Sequence, residues 1–389
     1  MRTLVTAAWL WDGTGLMRDP VIEISDRQIT GIWSRSEREI PANMPLLDYP
    51  GATLAPAFFD VHIHGAAGHD VMEATPEALT VVSSFLASRG TGNFLATTVT
   101  APLDPTLRAL EGLAKRIEDA KSDNWQGAKP LGIHLEGPFL SHAKRGVHPP
   151  EHLLTPNIAT FDRIFEAAEG KIRLMTLAPE LPEAIELAAH ATARGVRISV
   201  GHSNATAAET NRAIAAGACS ATHTFNAMRA LDHREPGILG TVLTTDSLYT
   251  ELICDGIHVH PSLIPLWWRA KGGRRAILVT DAMSATGMPD GEYSLGGFAV
   301  QVADGRATAK DSPGVLAGSV LTLDLALKNF VAFTGESVEN ALPLVTRNPA
   351  AMTGLTDDAG AVRIGNTANF VALGENGALL ASILGGQLR

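Results

Sequence analysis

Eight short apolar stretches recur between residues 58 and 281, and each reads as a β-strand: 58–64, 93–99, 131–136, 172–178, 196–202, 219–224, 249–255 and 275–281. Most of the intervals between them carry helical patterning. "TPEALTVVSSFLASRG" sets Thr75 as N-cap before Pro76 and Gly90 as the stop, and "LPEAIELAAHATARG" ends on Gly195. Eight strands alternating with helices fit a (β/α)8 TIM-like barrel better than an open sheet, although counting alone does not separate the two.

The two ends have a different texture. "RTLVTAAWLWDG", "PVIEISDRQITGIW" and "LLDYPGATLAP" read as strands and turns around the polar link 34–45, and "AGAVRIGNTANFVALGENGALLASIL" resembles them. The expected organisation is therefore a barrel over 53–348 and a small β domain built from 1–52 and 349–389. The stretch "PDGEYSLGGFAVQVADGRATA" predicts a β-hairpin inserted after the eighth strand.

Charge and cysteine usage narrow the function. A formal net charge of −10 and the lack of any lysine/arginine run argue against nucleic acid or an anionic membrane, and so favour a small substrate. With only Cys219 and Cys254 there is no disulfide scaffold, so a reducing compartment is expected. "MRTLVTAAWLWDGTG" lacks a convincing cleavage site and no run long enough to span a bilayer follows, so the expectation is a soluble, cytoplasmic protein.

Active sites of such barrels form where the strands end. In "FFDVHIHG", His62 and His64 share one strand face and present two imidazoles side by side, either as a metal-ligand pair or as two polar strand-end residues satisfied by neighbours. The pair alone leaves both open. Strand three ends with His134 and Glu136, strand five with His202, strand six with His223, strand seven with Asp255 and His258, and strand eight with Asp281. Converging on one rim, these are nitrogen and oxygen ligands suited first to zinc, with iron, manganese or cobalt as alternatives, and they point to a metal hydrolase. Glu136 lies between the histidine sets, placed to bridge two ions or serve one. Asp281 is the candidate general base.

The series "FFDVHIHG", "HLEGPF", "KRGVH", "GHSNA", "THTFNAM", "REPG", "DGIHV", "TDAM" and "LAGS", in that order, resembles the N-acetylglucosamine-6-phosphate deacetylase family of the amidohydrolase superfamily over nearly the whole chain. The resemblance implies a barrel with a small β-sandwich from both termini. It also implies hydrolysis of N-acetyl-D-glucosamine 6-phosphate to glucosamine 6-phosphate and acetate, in amino-sugar catabolism and cell-wall sugar recycling. By resemblance, Glu136, His202 and His223 hold the main metal, and His62 and His64 with Glu136 hold a second. Asp281 matches the catalytic base, and His148 of "KRGVH" the group that polarises the acetyl carbonyl. Asn226 and Ala227 fall in the sugar-phosphate pocket. His258 and Arg234 match phosphate ligands, the arginine reaching across from the partner in a homodimer.

Some family members replace the strand-one histidines and use a single metal, whereas this chain keeps both, so one ion or two per chain stays open. "APAFFD" has alanine where glycine is more usual, and the superfamily's frequent bridging lysine is missing from the strand ends, where Glu136 would take its place. The alternatives are N-acetylgalactosamine 6-phosphate as substrate, another amidohydrolase activity, or a non-catalytic scaffold, which the intact ligand set and Asp281 disfavour. His69, His142, His152, His190 and His260 match no motif and are expected at the surface or in packing. His134 is expected to orient a ligand, Cys254 to be a buried thiol, and Trp267 and Trp268 to pack.

Overall fold

A computed structural model describes every residue except Met1, Ala42, Asp123 and Pro313. Ala42 belongs to the expected polar link, so that part of it lies outside the described residues.

Eight parallel strands form one sheet in sequential order: Phe58–Ile63, Thr91–Thr98, Lys129–Glu136, Ile172–Leu177, Arg197–Val200, Ala218–Ala221, Tyr249–Ile253 and Ala276–Val279. The first and last then meet. The amide of Asp281 donates to the His62 carbonyl at 2.9 Å, that of His64 donates to the Ala282 carbonyl at 2.8 Å, and Ile63 bridges Ala282 in parallel. The sheet closes into a barrel, which decides between the two architectures that strand counting left open.

Helices cover the outside for local reasons. Helix Pro76–Ser88 starts where the Thr75 hydroxyl accepts the Ala78 amide at 3.1 Å, and the chain leaves it through Gly90 at φ +80°. Helix Leu103–Asp119 buries Thr106, Ala109, Leu110, Leu113, Ala114 and Ile117, a spacing of three and four that lays one stripe against the strands.

Both chain ends enter a second, eight-stranded sheet, in which Leu46–Pro56 pairs with Arg2–Trp11 on one side and Phe370–Leu373 on the other. Val5 and Ala7, Ile22 and Ile24, and Phe370 and Ala372 alternate onto one face around a core of their own. From the opposite face, Ala55, Val371 and Leu373 join the barrel core.

The insertion after strand eight differs from expectation. It holds three antiparallel strands, Gly291–Leu295, Phe298–Ala303 and Arg306–Ala309, not the two of a hairpin. Its "ADGR" segment is a second tight turn, with Asp304 and Gly305 both at positive φ. Leu295, Val300, Val302 and Ala307 pack with Val99 and Met283, fastening this sheet beside the barrel rim. Among the described residues no helix is long and apolar enough to cross a membrane.

Candidate metal centre

Strand one is buried at every position, so His62 has no solvent to turn to, and His64 follows directly on the strand end. Further round, the chain bends sharply just past the strands. His202, His223 and Asp281 have φ of +45°, +27° and +51°, a left-handed conformation uncommon for residues with a Cβ. Each bend carries its side chain toward the same space.

Glu136 is the hub. Its Oε1 lies 3.2 Å from His223 Nε2, 3.3 Å from His202 Nε2 and 3.4 Å from His62 Nε2, and its Oε2 lies 3.3 Å from His64 Nε2. Asp281 Oδ1 is 3.0 Å from His64 Nε2 and 3.4 Å from His62 Nε2. Two sets thus share one carboxylate: His62 and His64 with Glu136, and His202 and His223 with Glu136.

The far nitrogens show what these rings present. His64 Nδ1 donates to the Thr97 carbonyl at 3.1 Å, His202 Nδ1 to the Lys144 carbonyl at 2.9 Å, and His62 Nδ1 to Glu251 Oε2 at 3.1 Å. With Nδ1 carrying the proton, each neutral ring aims an Nε2 lone pair inward. His62 Nε2 is buried without a hydrogen-bond partner, and the Nε2 atoms of His202 and His223 stand 3.0 Å apart. Imidazole lone pairs converging on shared carboxylates suit a divalent cation, so the residues fit the group that the sequence implied.

Without a metal, protons serve the same charge balance. Burial disfavours the His62 cation, but Glu136 and Asp281 outweigh it and hold its pKa well above the usual range; His64 is raised to about 9 in the same way. Burial pushes the carboxyls of Glu136 and Asp281 upward, yet the histidines beside them hold both well below their ordinary values.

His148 has the opposite tautomer. The amide of Thr100 at 3.3 Å and its hydroxyl at 2.8 Å lie on Nδ1, and the amide can only donate, so the proton is on Nε2. Distance alone would allow His148 to join Glu136 and His202 as a ligand set. The tautomer makes it a hydrogen-bond donor instead. Burial drives its pKa down to about 3 and keeps it neutral. His134 has no lone pair to offer, because Nδ1 donates to the Val61 carbonyl and Nε2 accepts from Thr176 Oγ1 at 2.8 Å.

A cavity of about 390 Å³ opens over this cluster, with His64, Glu136, His148, His202, His223 and Asp281 on its floor. Asn226, Ala227 and His258 also line it, so the structure gathers every sequence-predicted site residue there except His62, buried beneath, and Arg234. His258 is held by Asp255, whose Oδ2 accepts from Nδ1 at 2.7 Å. Arg234 is exposed in a turn outside its own chain's cavity, with its amide on Asp232. His69, His142, His152, His190 and His260 do not line the cavity; His69 pairs with Glu73 and His190 with Asp162. Cys254 and Trp267 are buried.

Three contributors escaped sequence reasoning. Thr100 sets the His148 tautomer. Asp60 accepts the His62 amide at 3.2 Å and the Thr280 hydroxyl at 2.6 Å, and burial lifts its pKa to about 7. Glu251 backs His62. The one available signal was an acid inside an otherwise apolar strand, in "FFDVHIHG" and in "YTELI".

A closed barrel that collects histidines and carboxylates around a rim cavity has the donor set of a divalent-metal site, the arrangement expected of a metal-dependent hydrolase. The chain belongs to the amidohydrolase family, whose model matches residues 53–388. Two similar proteins are N-acetylgalactosamine-6-phosphate deacetylase of Escherichia coli O157:H7 and N-acetylglucosamine-6-phosphate deacetylase of Bacillus subtilis. The first is 37% identical, covering 96% of this chain and 95% of its own. The second is 36% identical, covering 96% and 93%. The solved structure of N-acetyl-D-glucosamine-6-phosphate deacetylase from Mycobacterium smegmatis, in complex with N-acetyl-D-glucosamine-6-phosphate, superposes with a TM-score of 0.91 at 33% identity, over 100% of this chain and 99% of that one.

Proposed function

We propose that this enzyme hydrolyses N-acetyl-D-glucosamine 6-phosphate to D-glucosamine 6-phosphate and acetate. The observation that carries the reading is the pairing, across one cavity, of an ionised acceptor, Asp281, with a neutral donor, His148 Nε2–H, above two ligand sets joined at Glu136. Amide hydrolysis needs both: a base for the attacking water and a donor for the developing oxyanion.

Glu136, His202 and His223 would hold one divalent ion and His62, His64 and Glu136 a second, zinc being the first choice for this donor set. Such a metal supplies Lewis-acid polarisation of the acetyl carbonyl and acidifies the attacking water. Asp281 takes the proton from that water and returns it to the amine as the C–N bond breaks, so that glucosamine 6-phosphate leaves neutral at nitrogen. His148 donates from Nε2 to the carbonyl oxygen as charge develops there, and Thr100 keeps that proton in place. Asn226 and the Ala227 backbone bind the sugar, while His258, oriented by Asp255, meets the phosphate. That remote charge positions the acetamide for attack, an effect expected in kcat as well as KM.

Arg234 completes the phosphate site from the partner in a homodimer, a reading supported by its exposure outside its own cavity. A cytoplasmic setting agrees with two free cysteines. The Escherichia coli relative's name favours a second substrate, the 4-epimer N-acetylgalactosamine 6-phosphate. Acetate release should therefore be measured on both epimers, with zinc-loaded and chelator-treated protein. Faster zinc-dependent release from the gluco epimer is expected; faster release from the galacto epimer would transfer the assignment, and release from neither would end it.

A further inference from the structure

Glu251 sits in the middle of strand seven, Tyr249–Ile253, with no solvent exposure. A carboxylate removed from water is costly unless it is paired, so its partners indicate its use. Oε2 accepts His62 Nδ1–H at 3.1 Å and the backbone N–H of His223 at 3.3 Å, while Oε1 is buried without a hydrogen-bond partner. One anion therefore touches a member of each ligand set, and it does not line the cavity. His64 and His202 are backed by neutral carbonyls, which fix a tautomer without adding charge. Among the described ligand histidines, His62 is the one backed by a carboxylate.

We propose that Glu251 is the positioning residue that sets the affinity of the metal position formed by His62, His64 and Glu136, an inference that rests on the metal-centre reading above. An anion on Nδ1–H holds Nε2 as the lone-pair face and raises its basicity, so His62 becomes the stronger ligand. It also places a negative charge beside both ligand sets, which would offset the repulsion between two cations if both sets were filled. The second bond, to the His223 amide, ties this support to the sharp bend that presents the other set.

Glu251→Gln keeps the size and an acceptor oxygen and removes the charge. Metal-free wild type and variant are titrated with Co²⁺ by calorimetry, with their melting temperatures and acetate release from N-acetylglucosamine 6-phosphate recorded in parallel. Two Co²⁺ steps are expected in wild type. In the variant the step that belongs to the His62, His64 and Glu136 position, identified as the one His62→Ala abolishes, should lose about 10- to 100-fold in affinity, the range found for partners behind metal ligands, while the other step moves by less than about threefold. A single Co²⁺ in wild type, unchanged steps, or equal weakening of both would overturn the proposal. Should Glu251→Gln fail to fold alone, the same change in a His62→Ala background decides the matter. There the Glu251 charge has lost its imidazole partner and keeps only the His223 amide, so Glu251→Gln should raise the melting temperature; a fall would exclude the pairing. Absence of acetate release by wild type would count against the deacetylase reading and leave the Co²⁺ result to judge Glu251 separately.

Discussion

Asp281 and His148 face one cavity with opposite proton assignments, and each assignment is set by a neighbour a substitution can remove. Asp281→Asn keeps the shape and abolishes the acceptor, so kcat should fall about 100-fold or more with substrate binding retained, as measured by steady-state kinetics and calorimetry. On the proposed mechanism, His148→Ala removes the donor to the oxyanion and should cost about 100- to 1,000-fold in kcat. The histidine ligands add a pH dependence. In the metal-free protein His64 titrates near 9, above its unfolded value, so its protonated form stabilises the fold fully below about pH 6.5, and that stabilisation is lost as pH rises through 9. Metal binding runs the other way, because an ion held by His62 and His64 must displace such protons. Zinc affinity should climb with pH from 7 toward 9, by up to about tenfold per unit for each proton displaced, and loading in weak buffer should release acid. A flat affinity profile would contradict the charge balance described for the site.

Among the connections between elements, the bend after strand three shows how the fold controls a site residue it does not contain. Gly137 has φ +86°, and a Cβ there would overlap the Thr100 side chain, the group that fixes the His148 tautomer. Gly137→Ala should therefore lower kcat by about tenfold or more through a displaced His148, with the metal content of the purified protein unchanged. A helix cap makes the contrast. Thr75→Ala removes only the N-cap of helix Pro76–Ser88 and should cost about 1 kcal/mol in denaturant melts with kcat unaltered. The elements themselves were readable because strands and helices write their burial into local periodicity. The insertion after strand eight was not read in full: both the "LGG" and "ADGR" segments are turns, and a hairpin reading uses only one of them.

On the scale of the whole molecule, the proposed dimer can be tested by mixing. A heterodimer of one Arg234→Ala chain and one Asp281→Asn chain has both lesions in one active site if the arginine acts across the interface. The other site is then intact, and mixing two poor enzymes should restore about half of the wild-type activity per dimer. No restoration in verified heterodimers would place Arg234 within its own chain's site or outside catalysis. The sequence by itself determined the eight strands, the rim they end on, and the residues His62, His64, Glu136, His202, His223 and Asp281, because all of these lie at or within two positions of a strand end. Barrel chemistry collects at such ends, so a one-dimensional pattern suffices to find it. Only the tertiary structure decided what those residues can do. His62 meets Glu251 across 189 positions of sequence, and His148 meets Thr100 across 48. Such contacts exist only once the barrel has closed, and they set which ring nitrogen of His62 and of His148 carries the proton, while the left-handed bends at His202, His223 and Asp281 turn those side chains toward the shared cavity.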